Sequence, residues 1–250
     1  MSDIRVKNAN EVVACKRPGF FKRLLWVFTS PGRLAAELAE KPRVLFGLIA
    51  GALAQATLYL SRLTLYTDRI REEALRQADS GFYESFGLEM TPEMIEASLP
   101  VSVKTGLIGT PPVMIFVILF ITFVFFAILK LIGGQGKFKA YLSVVVHANL
   151  IPVLYTLLCI PISFITGSLH DEVRLTSLAT LASADMAGTV LYAILARIDI
   201  VSIWNYAVMA IGFTEVSKLK KKYVYSIVAG IFIIGVIISI AGTLAVKAFM

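Results

Sequence analysis

Charge is scarce in this chain of 250 residues: Asp, Glu, Lys and Arg make up 16% of it, where a soluble domain carries about 25%. Apolar residues make up 57% and the mean hydropathy is +0.78, so a water-soluble globule is excluded. Disorder is excluded as well, because it needs low hydrophobicity with high net charge. Cysteine is nearly absent. Cys15 and Cys159 lie far apart in unlike surroundings, which gives neither a disulfide framework nor a metal-ligand spacing. There is no HExxH, no GxSxG and no cysteine–histidine cluster, so the expectation is a protein that is not an enzyme and takes no cofactor or metal. The net charge of +7 does not point to nucleic acid; in so apolar a chain its sign bears on orientation in a bilayer.

What the sequence does have is long apolar runs. A helix needs about 20 such residues to cross the hydrocarbon core. The expected fold is all-α and polytopic, with five spans at about 44–61, 113–132, 141–166, 199–213 and 224–246 behind a head of residues 1–43. Residues 44–250 form the membrane domain in this division. The run from Met186 to Phe213 is interrupted by Arg197 and Asp199. It reads either as one tilted helix or as a short interfacial helix followed by a short span. The second is preferred, because two charges at mid-membrane are costly. No cleavable signal peptide is expected, since the first apolar run follows a charged head.

Orientation follows the Lys and Arg count. The head, the flanks of 133–139 and the loop 218–222 hold 16 of the 24 basic residues. That side is expected to be cytosolic in a plasma-membrane protein, with the C-terminus external. Between the first two spans, 66–110 is expected to be an external loop of helix, turn and helix, with Asp68–Ala78 the first helix and Thr91-Pro92 opening the second. In the head, Phe20, Phe21, Leu24, Leu25 and Phe28 line one helical face with Lys22 and Arg23 turned elsewhere, as in an interfacial amphipathic helix touching membrane lipids.

Two constellations are candidates for function. Within the bilayer, His147, Asn149, Arg197 and Asp199 are polar, and such residues are functional candidates by default. Arg197 and Asp199 are two apart and point to different helical faces, so a cap or anchor role is expected of them. Pro152 and Pro161 are expected to kink the third span. On the cytosolic side, the turn Gly133, Gly134, Gly136, Lys137, Phe138 and Lys139 is a candidate docking surface. It is not a phosphate loop, because no strand precedes it and no Ser or Thr follows the lysine. Gly47 and Gly51 have the spacing that lets two helices approach closely, either inside the monomer or across a homo-oligomer.

Order and spacing of short motifs add a resemblance. Phe28-Thr29-Ser30-Pro31 and Leu38-Ala39-Glu40-Lys41-Pro42 precede the first span, and Met90-Thr91-Pro92-Glu93 lies in the loop. Leu131 to Lys139 follows the second span, Asn149-Leu150-Ile151-Pro152 lies in the third, and Asp199-Ile200 with Ile203-Trp204 lies in the fourth. The series resembles the bacterial branch of the Yip family, the domain named for Ypt/Rab-interacting proteins, from about residue 20 onward. The resemblance implies a five-span, non-enzymatic membrane protein with no catalytic residues. Eukaryotic members bind Rab-type GTPases through a longer head with an Asp-Leu-Tyr-Gly-Pro-like motif, which is missing here, so that partner is not carried over. Some bacterial members are associated with assembly of transport complexes such as ABC-type exporters. The function expected is therefore scaffolding or assembly of such a complex; the alternative is a small-solute or ion transporter built on the kinked third span.

Overall fold

The computed structural model describes residues 19–80, 83, 87, 89–169, 174–183, 186 and 189–248. Cys15 lies outside the described residues. The head forms α1 (Phe20–Thr29) and α2 (Pro31–Glu40). Ser30 parts them: it closes α1 onto the Trp26 carbonyl at 3.0 Å, while Pro31 has no N–H to prolong α1 and takes the first position of α2. Then follow α3 (Leu45–Ser61), α4 (Leu63–Asp79), α5 (Pro92–Leu131), α6 (Phe138–Ala148), α7 (Leu150–Thr166), a 3-10 turn (Leu178–Leu181), α8 (Val190–Arg197), α9 (Ile200–Ser217) and α10 (Lys221–Ala248). No strand forms among the described residues. Four helices are long and apolar enough to cross a membrane: α5, α6 with α7, α9 and α10. The pair α3–α4 qualifies jointly but is bent by 73°. Large apolar side chains such as Leu45, Phe116, Ile165 and Ile238 are exposed around the bundle, as on a surface that faces lipid. This is an all-α polytopic membrane protein.

Four features differ from the expectation drawn from the sequence. The head is not a body separate from the bundle. Val27, Leu34 and Leu38 are almost wholly buried in the same core as Phe125, Tyr141, Phe213 and Val224. Arg23 does not face outward: it is buried, while Phe21, Leu25 and Phe28 are exposed. The separate external helix at Thr91-Pro92 and the span at Val113 are one helix of 40 residues, α5. It carries Pro100, Pro111 and Pro112 in its interior. Packing overrides the lost backbone bonds: Ile95 and Leu99 are buried, Arg71 of α4 reaches Glu96 at 2.6 Å, and the Tyr59 hydroxyl donates to the Val103 carbonyl at 3.0 Å. The third span breaks at Asn149 rather than at Pro152. Pro152 falls in the first turn of α7, where backbone N–H groups have no intrahelical acceptor anyway.

In the fourth run a short α8 precedes α9, and Asp199 caps α9 by accepting from the Val201 and Ser202 N–H groups. α9 ends at Ser217, beyond the expected Phe213. Small residues let these helices touch. A Cβ on Gly212 would sit 2.4 Å from a methyl of Val144, and one on Gly47 equally close to Val146. Gly51 faces Met114. The Gly47–Gly51 face is therefore used inside the chain, against α6 and α5.

Candidate functional site: the basic face and the polar positions of the bundle

The turn between α5 and α6 is tightly determined. Gly133 and Gly136 have φ of 91° and 80°, the left-handed region that glycine enters without steric cost. The Gly134 N–H donates to the Leu129 carbonyl at 2.8 Å, which closes α5. The Gln135 N–H donates to the Ser217 carbonyl at 2.8 Å, and the Tyr141 hydroxyl donates to the Gln135 carbonyl at 2.8 Å. A Cβ on Gly136 would lie 2.8 Å from the Val216 carbonyl oxygen. Turn and α9 terminus are thus fastened backbone to backbone. Phe138 is half-buried, edge-on to Phe126 with ring centroids 5.5 Å apart. Lys137 and Lys139 are exposed, as are Lys22, Arg33, Lys41, Lys130, Lys218, Lys220, Lys221 and Lys222.

Beneath this basic face runs a buried polar line from the head to the third span. Arg23 Nε lies 3.3 Å from Glu37, which also meets Arg43 at 4.0 Å. Burial pulls the Arg23 guanidinium below its ordinary pKa, Glu37 opposes that, and Arg43 adds to it. The Arg43 N–H donates to Ser143 Oγ at 3.0 Å, and the Ser143 hydroxyl donates back to the Arg43 carbonyl at 2.9 Å. His147 Nδ1 lies 2.8 Å from the Ser143 carbonyl. That geometry makes Nδ1–H the donor and fixes the ring. His147 is 2% exposed, a packed histidine next to the head.

The other intramembrane candidates do not join it. Asp199 caps the opposite end of α9. Gly212, beside Val144, lies twelve residues past Ile200, about 18 Å along the axis. Arg197 ends α8 and is exposed. The cation on Asp199 is Arg174, at 2.7 Å. Arg174 also donates to Ser202 Oγ at 2.7 Å, and the Thr176 hydroxyl donates to Asp199 Oδ1. Burial works against the Asp199 charge, but the bonds from Thr176, Arg174 and Ser202 outweigh it and hold the carboxyl below the usual range. Asn149 faces a cavity between α3, α5, α6 and α9 that His147 does not line.

Arg62, just past the expected end of the first span, is one of the basic residues outside the cytosolic set. It is 1% exposed and sits at the α3–α4 bend, donating to Ser163 Oγ at 3.1 Å, the Leu169 carbonyl at 2.7 Å and the Tyr66 hydroxyl at 2.9 Å. Tyr66 is one helical turn away, but Ser163 and Leu169 lie about a hundred residues on, so local spacing does not reveal the burial. No group of His, Cys, Asp and Glu suited to a metal occurs among the described residues.

A family model, the Yip1 domain, matches residues 26–242. The chain belongs to the Yip1 domain family. No curated protein and no solved structure matches it. The Yip1 domain begins at Trp26, inside α1, and so takes in α2 with the bundle, as expected of a head whose apolar stripe lies in the common core. The turn 133–139 and the polar residues discussed above, apart from Lys22 and Arg23, all fall within it.

Proposed function

We propose that this Yip1-domain protein is a non-enzymatic component of the plasma membrane that scaffolds a membrane transport complex, such as an ABC-type exporter, or assists its assembly. The partner docks on the face where the head, the turn 133–139 and the loop 218–222 meet. The single observation that supports this most is the backbone clasp from Gln135 to Ser217. It holds an exposed loop in one shape on a rigid scaffold, which is where binding surfaces usually occur. Anionic lipid is the other ligand of such a face, each basic residue contributing about 1 kcal/mol. Lipid contact needs charge alone, whereas docking needs shape.

The two are separated by surface substitutions that spare the clasp. Gly134→Val is unsuitable, because its Cβ would meet the Leu129 carbonyl oxygen at 2.5 Å. Gln135→Ala alters the exposed shape and keeps both charge and backbone bonds. It should cut recovery of exporter subunits from native membranes about tenfold, while Lys137→Arg with Lys139→Arg leaves lipid binding intact. A lone monomer purified at native expression, or a Gln135→Ala protein that keeps every partner, overturns the reading. The rival transporter reading has the Asn149 cavity in its favour, but that cavity is lined by no charged residue and is closed toward the basic face by the rings of Phe125, Phe213 and Tyr141.

A further inference from the structure

A cavity of about 330 Å³ lies half-way along the bundle, at the size where small-ligand pockets begin. Its polar lining is Gln55, Thr110, Asn149, Asn205 and Tyr206; the rest is aliphatic or methionine. Asn149 is the twelfth of 29 residues in the third span and Asn205 the sixth of 18 in α9, so the depth is that of the hydrocarbon core. The Thr110 hydroxyl donates to the Gly106 carbonyl at 2.6 Å. The amides of Gln55, Asn149 and Asn205 and the Tyr206 hydroxyl have no hydrogen-bond partner among the described residues. Each is half-buried and opens on the same space. In hydrocarbon such groups are costly unless something satisfies them. Three amides and a phenol around one cavity can donate and accept at several points.

The walls define what could occupy it. Val113 and Val117 line the cavity and are also exposed on the outer surface of α5, so the opening is sideways, toward lipid. Toward the basic face the way is shut: Phe125 and Phe213 stand 4.8 Å apart and Tyr141 and Phe213 5.7 Å, all fully buried. A site shut toward the basic face, open toward lipid and lined by no charged residue suits neither an ion nor a phosphate headgroup, which belongs at the bilayer surface. A partner helix is too wide for it, at about 10 Å with its side chains. We propose that this cavity binds an uncharged lipid, its small polar head bearing carbonyl or hydroxyl oxygens held by Asn149, Asn205, Gln55 and Tyr206 and its chain running out past Val113 and Val117.

The test is photolabelling of the full chain in phosphatidylcholine nanodiscs. The probes are a diacylglycerol with a diazirine on one acyl chain and a phosphatidylglycerol with the same chain. Diacylglycerol should label peptides containing Met114 and Met209, and phosphatidylglycerol should not. Suppression by excess unlabelled diacylglycerol identifies a glycerol head, and suppression by a quinone alone identifies a quinone ring; both place the site. Asn149→Leu with Asn205→Leu should reduce labelling about tenfold, the effect of two lost hydrogen bonds. The same variant should melt no lower than wild type in lipid-free detergent, because it removes two unsatisfied amides. If that variant loses its fold, Tyr206→Phe carries the test, since it keeps the ring contact with Phe232 at 5.2 Å and should lower labelling about threefold. Labelling that is undiminished in a folded variant, equal labelling by phosphatidylglycerol, or no labelling of these peptides overturns the proposal.

Discussion

Arg23 and Arg62 bury guanidinium groups where the local sequence reads as the polar face of an interfacial helix and as the outer end of the first span. The reason is the same for both. Each charge is balanced by groups remote in sequence: Glu37 across the Ser30 corner for Arg23, and Ser163 and Leu169 for Arg62. A spacing rule within one helix sees neither. Removing one member of a buried pair strands the other, at about 3–5 kcal/mol. Glu37→Leu should therefore lower the melting temperature of the purified protein sharply. Arg23→Met added to it should recover most of the loss; a double variant no better than the single one would show that the pair does not act as a unit. Asp199 is different, because its role as a cap was legible in the sequence while its cation, Arg174, was not. Its folded-state pKa is depressed, so the stabilisation is complete at neutral pH, begins to fade below the ordinary aspartate value of about 4 and is lost as the pH falls through the lowered folded-state value. Wild-type stability should accordingly decline below about pH 4. Asn at 199 still caps α9 but should cost about 1–3 kcal/mol at pH 7 and flatten that decline. A profile unchanged by Asp199→Asn would remove the carboxylate from the account.

At the scale of elements, the runs in α9 and α10 were legible because each is continuous and apolar, and the parting of α8 from α9 was legible in the cost of Arg197 and Asp199. The unity of α5 was not. Pro111-Pro112 just before Val113 looks like a boundary, since proline breaks an isolated helix; only the packing of α4 at Glu96 and of Tyr59 from α3 at Val103 and Gly106 shows why the helix runs on. Pro100 is exposed and interior to α5, so its missing hydrogen bond is offset by contacts on the opposite side of the helix, made by Ile95 and Leu99. Pro100→Ala restores one backbone donor where nothing crowds the new residue. It should stabilise the protein by about 1–3 kcal/mol, seen as slower thermal unfolding in detergent with unchanged membrane insertion. Destabilisation would mean that α5 is kinked there for a purpose. The candidate turn 133–139 was legible as a turn from its glycines, but not its clasp to Ser217, which joins residues 82 positions apart.

For the whole molecule the open quantity is the parity of crossings, and it rests on α3. At 17 residues this helix is at the lower limit for a span, and the bend at Arg62 ends it. Its neighbours give the depth it reaches. Arg43, just before α3, is bonded to Ser143, and Arg62, just after it, to Ser163. The stretch from Ser143 to Ser163 rises about 30 Å at helical pitch, which is the thickness of the hydrocarbon core. α3 thus travels beside the third span in the same direction from one interface to the other. α5 runs against it, since Gly51 meets Met114 and Tyr59 meets Val103. α9 runs against α6, since Val216 meets Gly136 just before α6 while Gly212 meets Val144 within it; α10 runs against α9, since Ser217 and Lys221 are joined by a short loop while Tyr206 meets Phe232. With α3 included, the candidate spans run in alternating directions as five crossings, and five crossings leave the two ends of the bundle on opposite sides. The basic residues favour the head side as cytosolic. Cysteines introduced at Ser80 and Ser168, in a background with the native cysteines replaced, should therefore react with an impermeant thiol reagent in intact cells. One introduced at Gln135 should react only after the membrane is opened, and a C-terminal tag should be accessible from outside. Labelling of position 135 in intact cells would reverse the orientation. A cytosolic tag with an external Ser80 would leave an even number of crossings and would mean that one of the five helices, with α3 the shortest, does not cross.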